Sequence, residues 1–314
     1  IGFENEGFDV LYHVDHDRCV CDTLEKNFPQ SRVVKESITY FLENCQKNNP
    51  NPYYPKPEDI DHIHASPPCQ GFSDANVYGG KNDDANNAST GDFVLAVKHF
   101  KPFTASMENV MGLMKSTRNK VGYLKKVITD LLLIDYQVRL CFPLASEYGD
   151  PQLRKRVILL AAKKGFNLPD VPKRTHGDDE GLSKIVSVRD VLCDLEEIEP
   201  LIESGLVELN DGTLVWDHCT DGAPNICGNH TTNKNIVQLV PDKPTTTLKK
   251  NNKFLHYSKR RCLTIRELAL LQSFPIEYKF AGDHRSMRNQ IGNAVPVCLA
   301  RAVAKSIMIS YDAV

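Results

Sequence analysis

A cysteine held between a proline pair and a glycine, in Ser66-Pro67-Pro68-Cys69-Gln70-Gly71-Phe72-Ser73, is the residue of this chain best suited to nucleophilic work. The prolines restrict the backbone to extended geometry and Gly71 permits a tight bend. Cys69 therefore sits just past a strand, whereas a structural cysteine is more often inside an apolar run. As a thiolate it would be a soft nucleophile. A second feature, Ala105-Ser106-Met107-Glu108-Asn109-Val110, puts a carboxylate at the end of another apolar run, where a charge needs a partner. A helix-capping Glu or Asn is the plainer alternative. Gln152-Leu153-Arg154-Lys155-Arg156 opens a third run, and strand alternation predicts Gln152, Arg154 and Arg156 on one side. A charged sheet edge would look the same. Lastly, Gln290-Ile291-Gly292-Asn293-Ala294-Val295-Pro296 joins a glycine turn to a final helix, which ordinary turn chemistry would also explain.

These residues need elements to hold them. Over the first 165 or so residues, short apolar runs alternate with helical patterns, the signature of parallel strands with crossover helices. Val10–Val14 reads as a strand ending at Asp15, and Asp17–Asn27 as the following helix. Ile60–His64 runs into the cysteine segment and Phe103–Met107 into Glu108. Lys120–Leu133 is helical by periodicity, while Tyr136–Cys141 and Val157–Ala162 read as a final strand pair. Between about Gly165 and Lys259 the chain turns polar and rich in Asp, Asn, Gly, Thr and Pro, which predicts a separate irregular domain. Thr264-Ile265-Arg266-Glu267 is a capping box for a helix ending near Ser273. A last helix follows Asn293, with Pro296 in its first turn, where a missing N–H costs nothing. The domain reading is 1–164, completed by 263–314, with 165–262 apart.

Composition sets limits. The chain has 314 residues, 41% hydrophobic and 25% charged, which excludes a mostly disordered protein. No run approaches the eighteen or so apolar residues of a bilayer span, and no targeting segment is legible at the start. The first residue is Ile1 rather than Met, so the expectation is a piece of a longer chain with further domains. Ten cysteines without a paired framework suit a reducing compartment. The formal charge of −2 says nothing of partners, but its distribution does. Lys249, Lys250, Lys253, Lys259, Arg260 and Arg261 form one basic cluster, and Arg154, Lys155 and Arg156 with Lys163 and Lys164 another. Such clusters contact phosphates or form a solvated face.

Taken in order, Pro-Cys-Gln, Glu-Asn-Val, Gln-x-Arg-x-Arg, the run Arg266–Pro275 and Gly292-Asn-Ala-Val-Pro296 closely resemble the motifs of the C5 cytosine-specific DNA methyltransferases. The resemblance runs from Ile1 to the C-terminus, and only Arg156 to Thr264 lacks motifs, where that family carries its variable target-recognition domain. The fold it implies is α/β: a Rossmann-like S-adenosylmethionine-dependent methyltransferase fold with a smaller irregular recognition domain. The implied catalytic residues are Cys69 adding to cytosine C6, Glu108 protonated towards N3, and Arg156 with Arg154 at the base O2. S-adenosyl-L-methionine is the implied cofactor, with Asp15 at the ribose, His16 beside the adenine, Glu36 and Ser37 at the adenine edge, Pro68 on the methyl side and Asn293 closing the pocket. The partner is double-stranded DNA with the target base flipped out, touched by Gln70, Ser73, Gln152, Thr247, Lys249 and Lys250.

The sequence also departs from the family pattern. The family's opening strand and Phe-x-Gly-x-Gly-Gly turn belong immediately before Ile1. Asn86-Asn87-Ala88-Ser89 stands where Arg-Asn-x-Leu is usual, and Glu36 where Asp is commoner. His218, Cys219, Cys227 and His230 are spaced loosely for zinc, so no metal is expected. A tRNA methyltransferase of the same fold and a silent DNA-binding relative are the alternatives. A nucleus is the expected location, with a bacterial cytoplasm as its alternative.

Overall fold

The protein is described here from a computed structural model covering residues 1–47, 51–68, 83–114, 122–196, 207–208, 214–218, 236–249, 252–259 and 261–312. Its first half alternates strand and helix as expected. β1 (Tyr12–Val14) leads through Asp15 into α1 (Arg18–Asn27), and β2 (Arg32–Val34) into α2 (Ile38–Cys45). Both helices begin at short polar side chains that accept otherwise unpaired amides. Asp17 accepts from the Cys19 and Val20 N–H groups, and Ser37 from that of Tyr40. Then come β3 (His62–Ala65), α3 (Asp83–Phe100), β4 (Thr104–Val110), α4 (Tyr123–Leu133), β5 (Tyr136–Cys141), β6 (Gln152–Leu153) and β7 (Arg156–Lys163).

β3, β4, β7 and β5 form one sheet in that order, with β3 parallel to β4 and β7 antiparallel to both its neighbours. β1 and β2 pair in parallel as a separate sheet. Phe3 and Phe8 lie against His62, and Phe3 also against His64, on β3. Because β7 is central, its run Val157–Ala162 is buried on both faces, and its sequence is apolar throughout for that reason. One face packs Ala105, Met107, Leu159 and Ala161 against α3 and α4. The other packs Ile158 and Leu160 against Leu299, Val303 and Ile307 of α8 (Val297–Asp312). β4 carries small or polar residues on that second face, and there the site is built.

Several boundaries differ from expectation. Glu108 and Asn109 lie within β4 rather than past its end, because pairing with β7 extends to Val110 opposite Arg156. The expected continuous strand from Gln152 to Arg156 is broken: the Arg154 N–H bonds back to the Gln152 carbonyl at 3.0 Å, separating β6 from β7. The irregular stretch contains α5 (Val188–Glu196), which the sequence reading missed, along with β8 (Val207–Glu208), β9 (Leu214–Val215), β10 (Ile236–Gln238), β11 (Thr245–Thr246) and β12 (Lys253–Leu255). Its Val188, Leu192, Leu239, Leu248 and Phe254 share one core with Phe28, Leu263, Leu268 and Ile291. α6 (Ile265–Leu270) starts at the expected capping box, and Ser273 beyond it is left-handed, at φ 57°. Gln290 to Asn293 close α7 (His284–Asn293) instead of forming a turn. Among the described residues, no single helix is long and apolar enough to cross a membrane.

The capping box carries more than a helix end. Thr264 is fully buried, accepts the Glu267 N–H, and its hydroxyl is paired with the His218 ring at 3.0 Å. Glu267 in turn accepts the Thr264 N–H and both terminal nitrogens of Arg261, each at 2.7 Å. Thr264→Ala should therefore cost about 2 kcal/mol, the upper end for a lost cap, because a buried partner is orphaned as well. Urea unfolding would measure this, and Thr264→Ser should recover most of it.

Candidate active site

β4 and β7 bring the site together by register. Val110 lies opposite Arg156, so Glu108, two residues earlier, is the diagonal neighbour of Arg156 on the same face. Their side chains meet at 2.7 Å (Nε to Oε1), each about 8% exposed. Burial pushes the Glu108 carboxyl above its usual range. Arg156, then Arg154, pull it back down by their charge, as do hydrogen bonds from Arg156 and Ser66. The outcome is a carboxyl poised to hold a proton beside a fixed guanidinium. Asn109 donates to the Pro67 carbonyl at 3.2 Å, tying the end of β4 to the segment that precedes Cys69. Cys69 itself, with Gln70 and Ser73, lies outside the described residues, as do Lys250, Cys219, Cys227 and His230.

Gln152 and Arg154 do different work from Arg156. Gln152 is fully buried, and its amide is used at both ends. Its oxygen accepts the Leu248 N–H at 2.8 Å, and its nitrogen donates to Gln272 Oε1 at 2.6 Å. The DNA contact expected of Gln152 does not fit that burial; it is an internal tie. Arg154, 2% exposed, donates to the carbonyls of Leu248 and Gly292 at 3.1 and 3.0 Å. The turn between β6 and β7 thus breaks the expected alternation, and Arg154 clasps two remote segments while Arg156 pairs with Glu108 at 2.7 Å. Gln272 completes the clasp by donating to the Ala294 carbonyl.

The basic clusters are partly turned inward for the same reason. Arg154, Arg156 and Arg261 serve buried acceptors, leaving Lys155, Lys164, Lys249 and Lys253 exposed. Thr247 is half-buried and donates to the Leu153 carbonyl at 2.9 Å, beside the parallel pairing of Thr245–Thr246 with β6. Among the described residues no group of three metal-ligating side chains could hold an ion.

Asp15 and Glu36 leave the same end of the paired strands β1 and β2. The Asp15 carboxylate is partly open, accepts the Asp17 N–H at 2.9 Å, and has the exposed His16 ring 3.7 Å away. Glu36 receives the Tyr54 hydroxyl at 3.1 and 3.2 Å. Ser37 caps α2, and Pro68 and Asn293 are exposed. Two carboxylates with an exposed ring match the hydroxyls, amino group and flat face of a nucleoside, so these residues fit such a cofactor. α7 is drawn to this edge by Thr23 on α1, whose hydroxyl donates to Gln290 Oε1 at 2.7 Å and accepts the Ala281 N–H at 2.8 Å.

The sequence reading gave no role to Tyr54, Gln272, Ser273 or Asp150, nor to Arg266. The last is fully buried and donates to the carbonyls of Trp216, Pro275 and Tyr278. An arginine in an otherwise apolar helical stretch was the available signal for Arg266; nothing in the sequence marks Tyr54.

Gln152→Leu should lower stability by about 1–3 kcal/mol through the orphaned Leu248 and Gln272 groups. It should leave the salt dependence of DNA binding unchanged, where loss of a phosphate contact would reduce that slope by about one. Glu108 yields a pH prediction. A carboxyl whose folded value is raised keeps its proton after the unfolded chain has lost it. Its contribution is therefore whole below the unfolded value, about 4.3, and falls as pH rises through the folded one. Measured by thermal unfolding, Glu108→Gln should gain on the native protein as pH climbs from about 4.

The chain matches the family profile described as C-5 cytosine-specific DNA methylase over residues 1–308. It is 29% identical to the type II methyltransferase M1.HphI of Haemophilus parahaemolyticus, across 98% of this chain and 83% of that one. With M.AplI of Arthrospira platensis the identity is 30%, across 80% and 69%. With the DNA (cytosine-5)-methyltransferase 1B of Oryza sativa subsp. japonica it is 25%, across 82% of this chain and 22% of that one. A solved E. coli prophage protein described as a DNA modification methyltransferase superposes with a TM-score of 0.79 at 22% identity, covering 99% and 95%. DNMT2 of Spodoptera frugiperda superposes at 0.61 and 16%, also covering 99% and 95%; both structural likenesses speak to the fold alone. A profile match along nearly the whole chain, over a site built from that family's residue types, makes this protein a member of the C-5 cytosine-specific DNA methylases.

Proposed function

We propose that the protein methylates C5 of cytosine in double-stranded DNA, with S-adenosylmethionine as donor and Cys69 as nucleophile. The observation that carries the residue assignment is the buried Glu108–Arg156 pair on the face of β4, beside the tie from Asn109 to Pro67. Cytosine C5 is a poor nucleophile, so the ring must first be activated. A Cys69 thiolate adding at C6 pushes electron density towards N3. Glu108, whose hold on a proton burial strengthens, donates at N3 as that density arrives. Arg156 holds the carboxyl in place and favours negative charge at the base O2. Arg154 acts through the segments it clasps. The donor, when bound, supplies an electrophilic methyl on a sulfonium. Asp15 and Glu36 would accept its ribose hydroxyls and adenine amino group, His16 would lie on its ring, and Ser37, Pro68 and Asn293 would bound its pocket. C5, made electron-rich, takes that methyl and leaves the donor a thioether. Loss of the C5 proton to solvent with expulsion of Cys69, and return of the N3 proton to Glu108, then restore an aromatic 5-methylcytosine.

None of this can occur in a stacked duplex, so the base must be flipped out. Gln70, Ser73, Thr247, Lys249 and Lys250 are the proposed DNA contacts. The proposed division is a catalytic lobe of 1–164 with 263–314 and a recognition lobe of 165–262. Cys19, Cys21, Cys45, Cys141, Cys193, Cys262 and Cys298 are free thiols. They suit a reducing compartment that holds DNA, a condition met by a nucleus and by a bacterial cytoplasm.

Covalent trapping tests the reading. Fluorine at C5 blocks the final elimination, so duplex DNA bearing 5-fluorocytosine should form a denaturation-resistant adduct in the presence of S-adenosylmethionine. The adduct should be lost in Cys69→Ala. A tRNA substrate run alongside should form none; an adduct only on tRNA would move the substrate, and full turnover by Cys69→Ala would remove the nucleophile.

A further inference from the structure

Asp150 takes no part in the chemistry above, yet it is wholly withdrawn from water. It follows the left-handed Gly149 and precedes β6. Gln152 Nε2 lies 3.3 Å from its Oδ1, and Ser273 Oγ lies 3.0 Å from its Oδ2. Neither is a cation. The charged and titratable groups around it come from three sides. Arg154 acts on it from its own segment. The Cys298 thiol faces it from the start of α8, with Arg301 further along that helix. The His176 ring packs on Gly149. The segment after α6 offers only the neutral Gln272 and Ser273.

Ser273 Oγ is 3.0 Å from Asp150 Oδ2 and 2.8 Å from the Gln272 carbonyl, and it accepts the Cys298 N–H at 3.2 Å. A hydroxyl has a single proton to give. With Asp150 ionised, Ser273 can serve the carboxylate or the Gln272 carbonyl but not both. With Asp150 neutral, its O–H donates to Ser273 Oγ, Ser273 donates to Gln272, and the Cys298 N–H fills the second lone pair. Gln152 donates to Asp150 Oδ1 and Gln272 Oε1 in either state. Only the neutral acid puts a hydrogen in both the Ser273–Asp150 and the Ser273–Gln272 contacts; with Asp150 ionised, the Gln272 carbonyl falls back on the longer bond from the Val297 N–H, at 3.4 Å. The same bonds hold Ser273 at φ 57°, a conformation that is costly for a non-glycine residue.

We propose that Asp150 is a positioning residue that works as the neutral carboxylic acid. Its proton completes the hydrogen-bond chain fastening the Gln152–Arg154 segment to Ser273 and the start of α8, and loss of that proton loosens the joint. The proposal rests on the functional reading above, because the joint holds Arg154 and the Gly292–Pro296 segment. Burial pushes the Asp150 carboxyl up to about 7, which agrees with a proton retained near neutrality.

The test compares the native protein with Asp150→Asn, which keeps the shape and cannot ionise. The folded protein holds this proton between the unfolded value, about 4, and about 7, so stability from this group declines across that window. The melting temperature of Asp150→Asn should gain about 3 °C or more on the native protein from pH 4.5 to 7.5. Each normalised at pH 6.5, methyl transfer by the native protein should fall at least about threefold further than the variant's by pH 9. NMR of aspartate labelled with carbon-13 at the carboxyl should show one resonance titrating near 7, absent in Asp150→Asn. If that variant does not fold, Asp150→Glu makes the assignment by removing the resonance, because glutamate carries no label. A cluster in which the Asp150 carbon titrates below 5, or parallel melting and activity profiles, would overturn the proposal. Absence of methyl transfer by the native protein at every pH would sink the enzyme reading instead, and leave the titration and melting results standing.

Discussion

The site depends on a clasp of buried polar side chains that ties three distant stretches of chain to one short segment. Gln152 and Arg154 stand on that segment, and between them they engage Leu248, Gln272 and Gly292; Gln272 passes the link to Ala294. Gln152, Arg154, Leu248 and Gln272 are withdrawn from water, so each is costly unless satisfied. That cost makes the arrangement specific. A slip of the recognition segment or of α7 would leave buried donors and acceptors unpaired, with no solvent to take their place. The clasp therefore fixes where the segments carrying Thr247, Lys249 and Asn293 stand relative to β7, and so relative to Arg156.

Arg156 can then serve a single purpose. It starts the strand that lies between β4 and β5, and the antiparallel register delivers it diagonally to Glu108. A buried ion pair adds little net stability, since desolvation offsets most of the attraction. Its value here is placement and proton affinity. Burial raises the affinity of Glu108 for a proton while the neighbouring guanidinium limits the rise, so the carboxyl lies nearer neutrality than a surface glutamate. Asn109, next in the strand, points the other way and holds the Pro67 segment. Two consecutive residues of one strand thus orient the acid and brace the approach to Cys69.

The edge proposed for the nucleoside is organised by a simpler rule. β1 and β2 are parallel and in register, so Asp15 and Glu36 emerge at one end, where helix N-termini also lie. Glu36 is steadied from outside this unit by Tyr54, whose loop is pinned by Arg32 donating to the carbonyls of Pro52 and Tyr53. Asn27 on α1 exchanges two hydrogen bonds with Lys279, and Thr23 engages Gln290 and Ala281. The C-terminal helices are in this way drawn to the edge that Asp15 and Glu36 line.

Local chemistry was legible in the sequence wherever it was self-contained. A helix follows Asp17 and ends at Asn27, Thr264 and Glu267 form their box, and the apolar run Val157–Ala162 is a strand, because each depends on neighbours a few residues away. Motif order carried the family, and with it the roles proposed for Cys69, Glu108 and Arg156, since their types follow from the reaction. Sequence could not divide the labour within Gln152-Leu153-Arg154-Lys155-Arg156. Alternation predicts one face for all three polar residues, and a backbone hydrogen bond at Arg154 breaks the strand. Nor could it find Tyr54, Asp150 or Ser273, whose partners lie 18 to 123 residues away. Those pairings exist because packing brings the groups together and burial removes water as their alternative partner, and only the tertiary structure decides both.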